Sequence, residues 1–298
     1  MAGKYRNLYY IVNKYIFRFL PDTLYHNLLG WIHHRRFGVK YHWMNIKHPT
    51  TYNEKIQWLK KNGPVEVKRK LADKFDYRET ISKIIGGDHL IDLLPLNHSG
   101  ALYITDVAQL DWDILPDRFV LKMTKGSGFN IICSNKKGLN KERVLNQLQA
   151  WLKVDNYLLS REPHYKGENK IIAERFLESN IVDYKFFCFD GEPKIIKTDV
   201  NRFSDHRANY YDANWNFLPI DEGGCVSDEN AIIPKPLQFK EMLAIVRKLA
   251  KDWPFVRIDL YLHENKIYFG EMTFHPAGGY APISPFDWQK RIGEMIRL

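Results

Sequence analysis

Residues 255–274, FVRIDLYLHENKIYFGEMTF, alternate apolar and polar side chains on both sides of a short polar break. A period of two is a strand signal, so the stretch reads as two strands that turn near Glu264-Asn265-Lys266. A three-residue loop with Asn265 in the left-handed conformation sets Asp259 opposite Glu271 and Arg257 opposite Thr273 on one face. Val256, Ile258, Leu260, Met272 and Phe274 then fall on the other face, where they can pack on a core. Two carboxylates directly across a strand pair repel unless a cation joins them. All-oxygen ligands point to Mg²⁺ or Mn²⁺. A solvated sheet face with Arg257 neutralising an acid fits this hairpin equally well. A two-residue turn would slip the register by one and undo the geometry.

The rest of the chain limits what such a hairpin belongs to. From residue 170 onward KIIAERFLE, VDYKFFCFDGEPKIIKTDV and RANYYDANWNFL are further strand runs with turns at Asp190-Gly191 and around Asn residues. PLQFKEMLAIVRKLAKD among them has helical spacing. The first hundred residues read as mostly helical. TYNEKIQWLKKN opens on Thr51 with Glu54 three residues later, a capping box, and VEVKRKLADKFDYRETISKII reads as one helix ended by Gly86-Gly87. HLIDLLPL is a short strand, and NKERVLNQLQAWLKVDNYLL is helical. The order predicts an α/β or α+β protein with antiparallel sheet in its second half.

With 298 residues the chain can bury one large domain or two to three smaller ones. Its three cysteines, Cys133, Cys188 and Cys225, show neither a disulfide framework nor metal-ligand spacing, which fits a reducing cytoplasm. A formal net charge of +9 favours an anionic partner without naming it. The opening segment shows no secretory signal and no apolar run of spanning length, because Lys4, Arg6, Lys14 and Arg18 interrupt it. Its aromatic and basic residues suit either a helix at a membrane surface or one packed on its own domain.

FVLKMTKGSGFNIIC, residues 119–133, reads as a hairpin around a glycine loop. Lys122 lies on the half-buried face with Val120, and a lysine there needs an anion. Gly126 and Gly128 let a phosphate approach backbone N–H groups, and Lys125 adds charge. The pattern is neither GxxxxGK[ST] nor GxGxxG, and by itself a plain hairpin turn explains it as well. In IIAERFLE, Glu174 follows an apolar strand, and Asp183, Lys185 and Phe187 alternate onto one face of the next. A hinge for adenine and ribose or an ordinary meander both remain open. No GxSxG, HExxH or strand-borne DxD is present, and the eleven histidines, His33, His34 and His275 among them, read as surface or packing residues.

In order along residues 45–285, TYNEKIQWLK, LADKFDYRETISKIIGGDHLIDLLPL, FVLKMTKGSGFNII, IIAERFLE, DYKFFCFDGEPKIIK and VRIDLYLHENKIYFGEMTFHPAGGY resemble the ATP-grasp superfamily, and closely its TupA-like (teichuronopeptide-biosynthesis) branch. The resemblance implies an α+β ATP-grasp fold in which two α+β lobes clasp ATP. It divides the chain into a helical, aromatic and basic region (1–50), an α/β region (51–115), a small lobe with a glycine lid (116–175) and a large lobe carrying the metal hairpin (176–298). By that likeness Lys74, Lys122 and Lys125 serve the ATP phosphates, and Gly126, Ser127 and Gly128 form the lid. Glu174, Phe176 and Leu177 take the adenine, with Asp183 and Lys185 near the ribose. Asp259 and Glu271 hold Mg²⁺ or Mn²⁺, and Arg257 with Lys122 steadies the transferred phosphate. The usual Glu-x-Asn is Glu-Met-Thr here, so Thr273 replaces the amide ligand.

The likeness further implies a cytoplasmic ADP-forming ligase that joins an amino acid to a sugar, uronic acid or glycan precursor in surface polysaccharide biosynthesis. Arg202, His206 and Arg207 are candidates for the carboxylate substrate, with a plain surface loop as the alternative. Peripheral contact with the inner membrane face fits the N-terminus, and nucleic acid is not an expected partner. A sugar kinase or other phosphotransferase, a glycosyltransferase-type protein and a non-catalytic glycan-binding protein are the competing readings.

Overall fold

The computed structural model of the chain describes residues 10–177, 181–200, 207–223, 225–231 and 233–298. Its longer helices among the described residues are α1 (Asp22–Arg36), α2 (Tyr52–Asn62), α3 (Val65–Ala72), α4 (Tyr77–Ile85), α5 (Lys141–Leu152), α6 (Phe239–Ala250) and α7 (Phe286–Met295). The chain divides into two compact units. The smaller comprises Val65–Tyr157 and Pro163–Ser179, and the larger Met1–Pro64, Leu158–Glu162 and Asn180–Leu298.

The smaller unit contains a sheet of β1 (Leu93–Leu94), β2 (Phe119–Met123), β3 (Asn130–Cys133) and β4 (Ile171–Arg175), in the order β1-β4-β2-β3. β2 and β3 pair antiparallel around the glycine loop, as their alternation predicts. Phe119, Leu121 and Met123 enter a core with Ile171, Ala173 and the α5 residues Val144, Leu148 and Trp151. Glu174 lies inside β4 rather than after it. The single helix expected over 65–85 is two. Between them the buried Asp73 carboxylate accepts the N–H groups of Phe75 and Asp76, at 2.9 and 3.1 Å, and the Thr124 hydroxyl at 2.7 Å. An aspartate that offers the backbone such partners competes with the helical ladder, and the helix restarts beyond it.

The larger unit is built on six antiparallel strands in the order β11-β10-β5-β6-β7-β8. These are β5 (Val182–Phe189), β6 (Glu192–Val200), β7 (Arg207–Asp212), β8 (Phe217–Leu218), β10 (Phe255–His263) and β11 (Lys266–Thr273). A short pair, β9 (Asp221–Glu222) with β12 (Ile283–Ser284), lies apart from this sheet. One sheet face presents Phe186, Ile196, Val256, Ile258 and Leu260, all buried, and Phe186 stacks on Phe239 of α6. The other face is apolar at one end, where Phe187, Phe189, Ile195 and Phe255 join Tyr52, Ile56 and Leu59 of α2 and Trp288 and Ile292 of α7. Each such side chain taken fully from water contributes about 1.5–3 kcal/mol. Farther along the strands that same face turns polar.

α2 begins as its capping box predicts, with Glu54 accepting the Thr51 N–H at 2.8 Å. Near its end the buried Lys60 ammonium donates to the carbonyls of Ser160 and Gly278, at 2.9 and 2.7 Å. α1 packs Tyr25 and Leu29 against Met44 and Tyr280. No helix among the described residues is long and apolar enough to cross a membrane.

The hairpin of β10 and β11 reaches the expected pairing by a different route. Its loop has two residues, Glu264 and Asn265, both with positive φ (50° and 61°), and His263 pairs with Lys266. That is the tight hairpin turn that would slip the register by one. A β-bulge restores it: Leu260 pairs with Phe269 while Asp259 pairs with Glu271, so Gly270 is the extra residue. A Cβ on Gly270 would lie 3.0 Å from both the Asp259 carbonyl oxygen and the Tyr261 ring.

Gly270→Leu should therefore disturb the bulge and cost about 1–3 kcal/mol, as overpacking does, seen as a lower midpoint in urea unfolding. An unchanged midpoint would remove the bulge's dependence on glycine. Burial lowers the Lys60 pKa to about 7, against the 10.5 of a free lysine. Between those values the unfolded chain holds the proton and the folded one releases it, so stability rises with pH across that window. Thermal melts should show wild type gaining on Lys60→Met from pH 7 to 10, and a constant difference would contradict the shift.

Candidate functional site

On the polar end of the larger unit's sheet the register lays ionisable residues in rows. Glu271, Asp259, Lys185, Lys197 and Tyr210 are successive partners across β11, β10, β5, β6 and β7. The next row carries Asp183 opposite Asp199. Because strand side chains alternate, all of these share the face that Phe187 and Ile195 continue as core.

Arg257 organises the acidic end. Its guanidinium donates to both Asp259 carboxylate oxygens at 2.7 Å and to Glu271 at 3.0 Å. It also donates to the Thr273 hydroxyl at 3.1 Å, and that hydroxyl donates to Glu271 at 3.1 Å. Lys185, buried beneath, donates to Asp183 and to Asp259 (3.3 Å), and lies 3.4 Å from Asp199. Burial pulls the Lys185 ammonium down, but Asp259, Asp183 and Asp199 outweigh it and hold its pKa above the ordinary lysine value. Burial likewise opposes the Arg257 charge, and Asp259 and Glu271 more than offset it. Among the described residues this cluster sets four carboxylates against two cations. An oxygen-donor set with surplus negative charge suits a hard divalent cation. Asp259, Glu271 and the Thr273 hydroxyl are the donors that would hold one.

Beside this cluster sits a pair that sequence reasoning missed. Lys197 donates to Glu222 at 2.7 Å, and Tyr210 donates to the same oxygen at 2.5 Å. Burial alone would raise the Glu222 carboxyl, but Lys197 and Tyr210 hold it below the usual range. Glu222 stands in a two-residue strand with no alternation to flag it. His275, expected at the surface or in packing, is buried with its Nδ1 3.2 Å from Glu162.

In the smaller unit β2 and β4 place Lys122 against Glu174, with 2.5 Å between ammonium and carboxylate. The anion that Lys122 needs is thus supplied by the neighbouring strand. Lys74 donates to the Gly126 carbonyl at 3.3 Å, and its own N–H donates to Thr124 at 3.0 Å, which ties the α3–α4 turn to the glycine loop. Gly126 and Gly128 have φ of 78° and 74°. A Cβ on Gly126 would also come within 2.7 Å of Asn156 Oδ1 and 2.9 Å of the Phe129 ring, so glycine is required there. Lys125 turns inward, donating to the carbonyls of Glu168 (2.8 Å) and Lys166 (3.3 Å), so its charge is not presented by the loop. Burial lowers its pKa, partly opposed by Asp73. Leu177 is buried, and Phe176 lies under the Arg118 guanidinium, 4.2 Å from its ring centre. Lys170, which sequence reasoning passed over, pairs with Asp76 at 2.6 Å and lies over the rings of Phe75 and Tyr103.

Asp259, Glu271, Thr273, Arg257, Asp183 and Lys185 thus converge in the larger unit. Lys122 with Glu174, and Lys74 with Gly126, converge in the smaller one. Arg202 and His206 lie outside the described residues. Arg207 opens β7, and its side chain is likewise outside them.

Comparison with known proteins agrees with these motifs. A family profile described as TupA-like ATP-grasp matches residues 54–297. No curated protein matches the sequence. Among solved structures, similarity extends to an L-amino acid ligase from Bacillus licheniformis (16% identity, 76% of this chain and 49% of that one, TM-score 0.46). It also extends to a D-alanine–D-alanine ligase from Bacillus anthracis complexed with ATP (14%, 69% and 54%, 0.38). A third is an N5-carboxyaminoimidazole synthetase from Staphylococcus aureus complexed with ADP (14%, 71% and 46%, 0.37). The chain spans 54–66% of the length of the D-alanine–D-alanine ligase structures it matches. With the family match running from the capping box of α2 to the end of α7, the chain belongs to the TupA-like ATP-grasp family.

Proposed function

We propose that this protein is an ATP-dependent carboxylate–amine ligase that releases ADP and joins an amino acid to a sugar acid or glycan precursor. The observation that carries the reading is the Arg257 guanidinium bonded at once to Asp259 and Glu271 at the mouth of a buried acid–lysine cluster. Family membership supports the nucleotide, and the glycine loop with Lys122 and Lys74 supports a phosphate site.

In this reading a substrate carboxylate attacks the γ-phosphorus of ATP, the bond to the β-phosphate oxygen breaks, and ADP leaves with that electron pair. An amine then attacks the acyl phosphate, expels inorganic phosphate and loses a proton, leaving an amide. Lys122 and Lys74 neutralise phosphate oxygens. Arg257 stabilises the charge that develops on the transferred phosphoryl group and at the tetrahedral centre. Lys185 holds Asp183 and Asp259 in place through its ammonium. The glycine loop excludes water that would hydrolyse the acyl phosphate. Glu174, with Phe176 and Leu177, takes the adenine, and Asp183 serves the ribose. Mg²⁺ or Mn²⁺ held by Asp259 and Glu271 would supply charge neutralisation at the phosphates. Arg202, His206 and Arg207 are proposed for the carboxylate substrate, and the site of action is proposed as the cytoplasm.

Incubation with MgATP, amino acids and uronic acids should release ADP only when carboxylate and amine are both present. ADP and a phosphorylated sugar formed without amine would replace the ligase by a kinase. Lys122→Ala and Asp259→Asn should each lower turnover by at least about 100-fold, as loss of one transition-state charge contact does, measured at a temperature where circular dichroism shows the variant still folded, since each also leaves a buried partner unpaired. Wild-type turnover in either would refute the assigned role. Thr273→Asn replaces a hydroxyl ligand by an amide carbonyl, so the Mg²⁺ concentration for half-maximal ATP binding should fall several-fold. An unchanged Mg²⁺ titration would take Thr273 out of the ligand set.

A further inference from the structure

The larger unit carries a second feature that the nucleotide chemistry does not use. A cavity of about 940 Å³ opens between the segment after α1 and the starts of α2 and α7. Small-ligand sites run from about 300 to 1,000 Å³, so this one has room for far more than an amino acid.

Its walls combine aromatic faces with cations. Trp43 is 64% exposed and has Tyr41 edge-on at 6.2 Å, while His42 and Phe286 stack face to face at 3.8 Å. An indole left that open is uncommon in a folded surface unless something covers it. Lys40, Lys55 and Lys290 reach the same space; Lys55 also donates to the Ile296 carbonyl at 2.7 Å, and Lys290 lies 3.7 Å from the exposed Asp287. Of the two carboxylates present, Glu54 is occupied by the N–H groups of Asn45, Thr50 and Thr51, and Glu294 is exposed at the rim. Three lysines against two glutamates leave the lining one net positive charge, with the Glu54 carboxylate turned to backbone N–H groups.

Two polar groups add hydrogen-bonding capacity. His34 Nδ1 lies 2.9 Å from the Gly30 carbonyl, which can only accept, so Nδ1 carries the proton and Nε2 is left as an acceptor. Burial lowers the His34 pKa and keeps the ring neutral, suited to accept from a hydroxyl. Asn53 donates to the Ala281 carbonyl at 2.8 Å, while its own buried Oδ1 accepts no hydrogen bond. Buried acceptors are rarely left so, and a small shift on ligand binding would offer it a donor. Ring faces for sugar C–H surfaces, acceptors for hydroxyls and lysines for carboxylates together describe a receptor for an acidic saccharide.

We propose that this cavity binds an acidic oligosaccharide of two or three units, its rings stacked on Trp43 and the His42–Phe286 pair and its carboxylates met by Lys40, Lys55 and Lys290. The site rests on the ligase reading only in being its glycan-holding site. Binding itself needs no nucleotide.

Trigalacturonate titrated calorimetrically into the full chain without nucleotide should bind, and should weaken as salt rises. Trp43→Ala should weaken it at least about tenfold, and Lys40→Ala with Lys290→Ala should do the same, while ATP binding stays unchanged. Trp43 is exposed, so the melting temperature of its variant should match wild type and exclude misfolding. Absence of trigalacturonate binding, equal binding of neutral maltotriose, equal binding of ATP at the same residues, or indifference to Trp43→Ala would each overturn the proposal. Trigalacturonate binding that depends on Trp43 in a protein that forms no amide would sink the ligase reading and leave this site standing.

Discussion

Asp259 and Glu271 are like charges on adjacent strands, a placement that costs stability unless something positive joins them. Arg257 does so from the strand that also carries Asp259, because residues two apart on a strand share a face. Around that bridge the remaining charges fall into place. Lys185 answers Asp259, Asp183 and Asp199 from the centre of the sheet, and Lys197 answers Glu222 beyond it. Buried charges so arranged contribute little net stability compared with apolar packing, but removing one partner is costly.

The sheet supplies both halves of this arrangement. The same strands that carry Asp259 and Lys185 on one face bury Ile258, Leu260 and Phe186 on the other. On the polar face itself the charges give way, two residues along each strand, to Phe187, Ile195 and Phe255 packed under α2 and α7. The ionic cluster thus grows out of a rigid apolar base, which holds its side chains in place without a ligand.

Much of this was legible in the sequence. Alternation located the strands, the capping box located α2, and the pairing of Asp259 with Glu271 was read correctly. The route to that pairing was not: a two-residue turn and the bulge at Gly270 together yield the register that a three-residue loop would have produced. Helical spacing ran through residues 65–85, and nothing in that spacing reveals that Asp73 will find Thr124 and break the ladder. Lys125 sits in a phosphate-loop pattern yet directs its charge to carbonyls about forty residues away. The partners of Lys122 and Lys197 were invisible for the same reason, since each is contributed by another strand.

By itself the sequence determined what local physics dictates: which segments are strands or helices, which face of each is apolar, and which ionisable residues share a face. It also determined family, because several ordered motifs together are specific where each is weak. Only the tertiary structure decided which charges meet, since ion pairs such as Lys122–Glu174 and Lys197–Glu222 depend on strand order and not on spacing. It alone decided that Phe286, from a distant segment, would border one cavity with His42 and Trp43. Contacts of that kind arise from the closing of loops many residues long, and no periodicity within a window can register them.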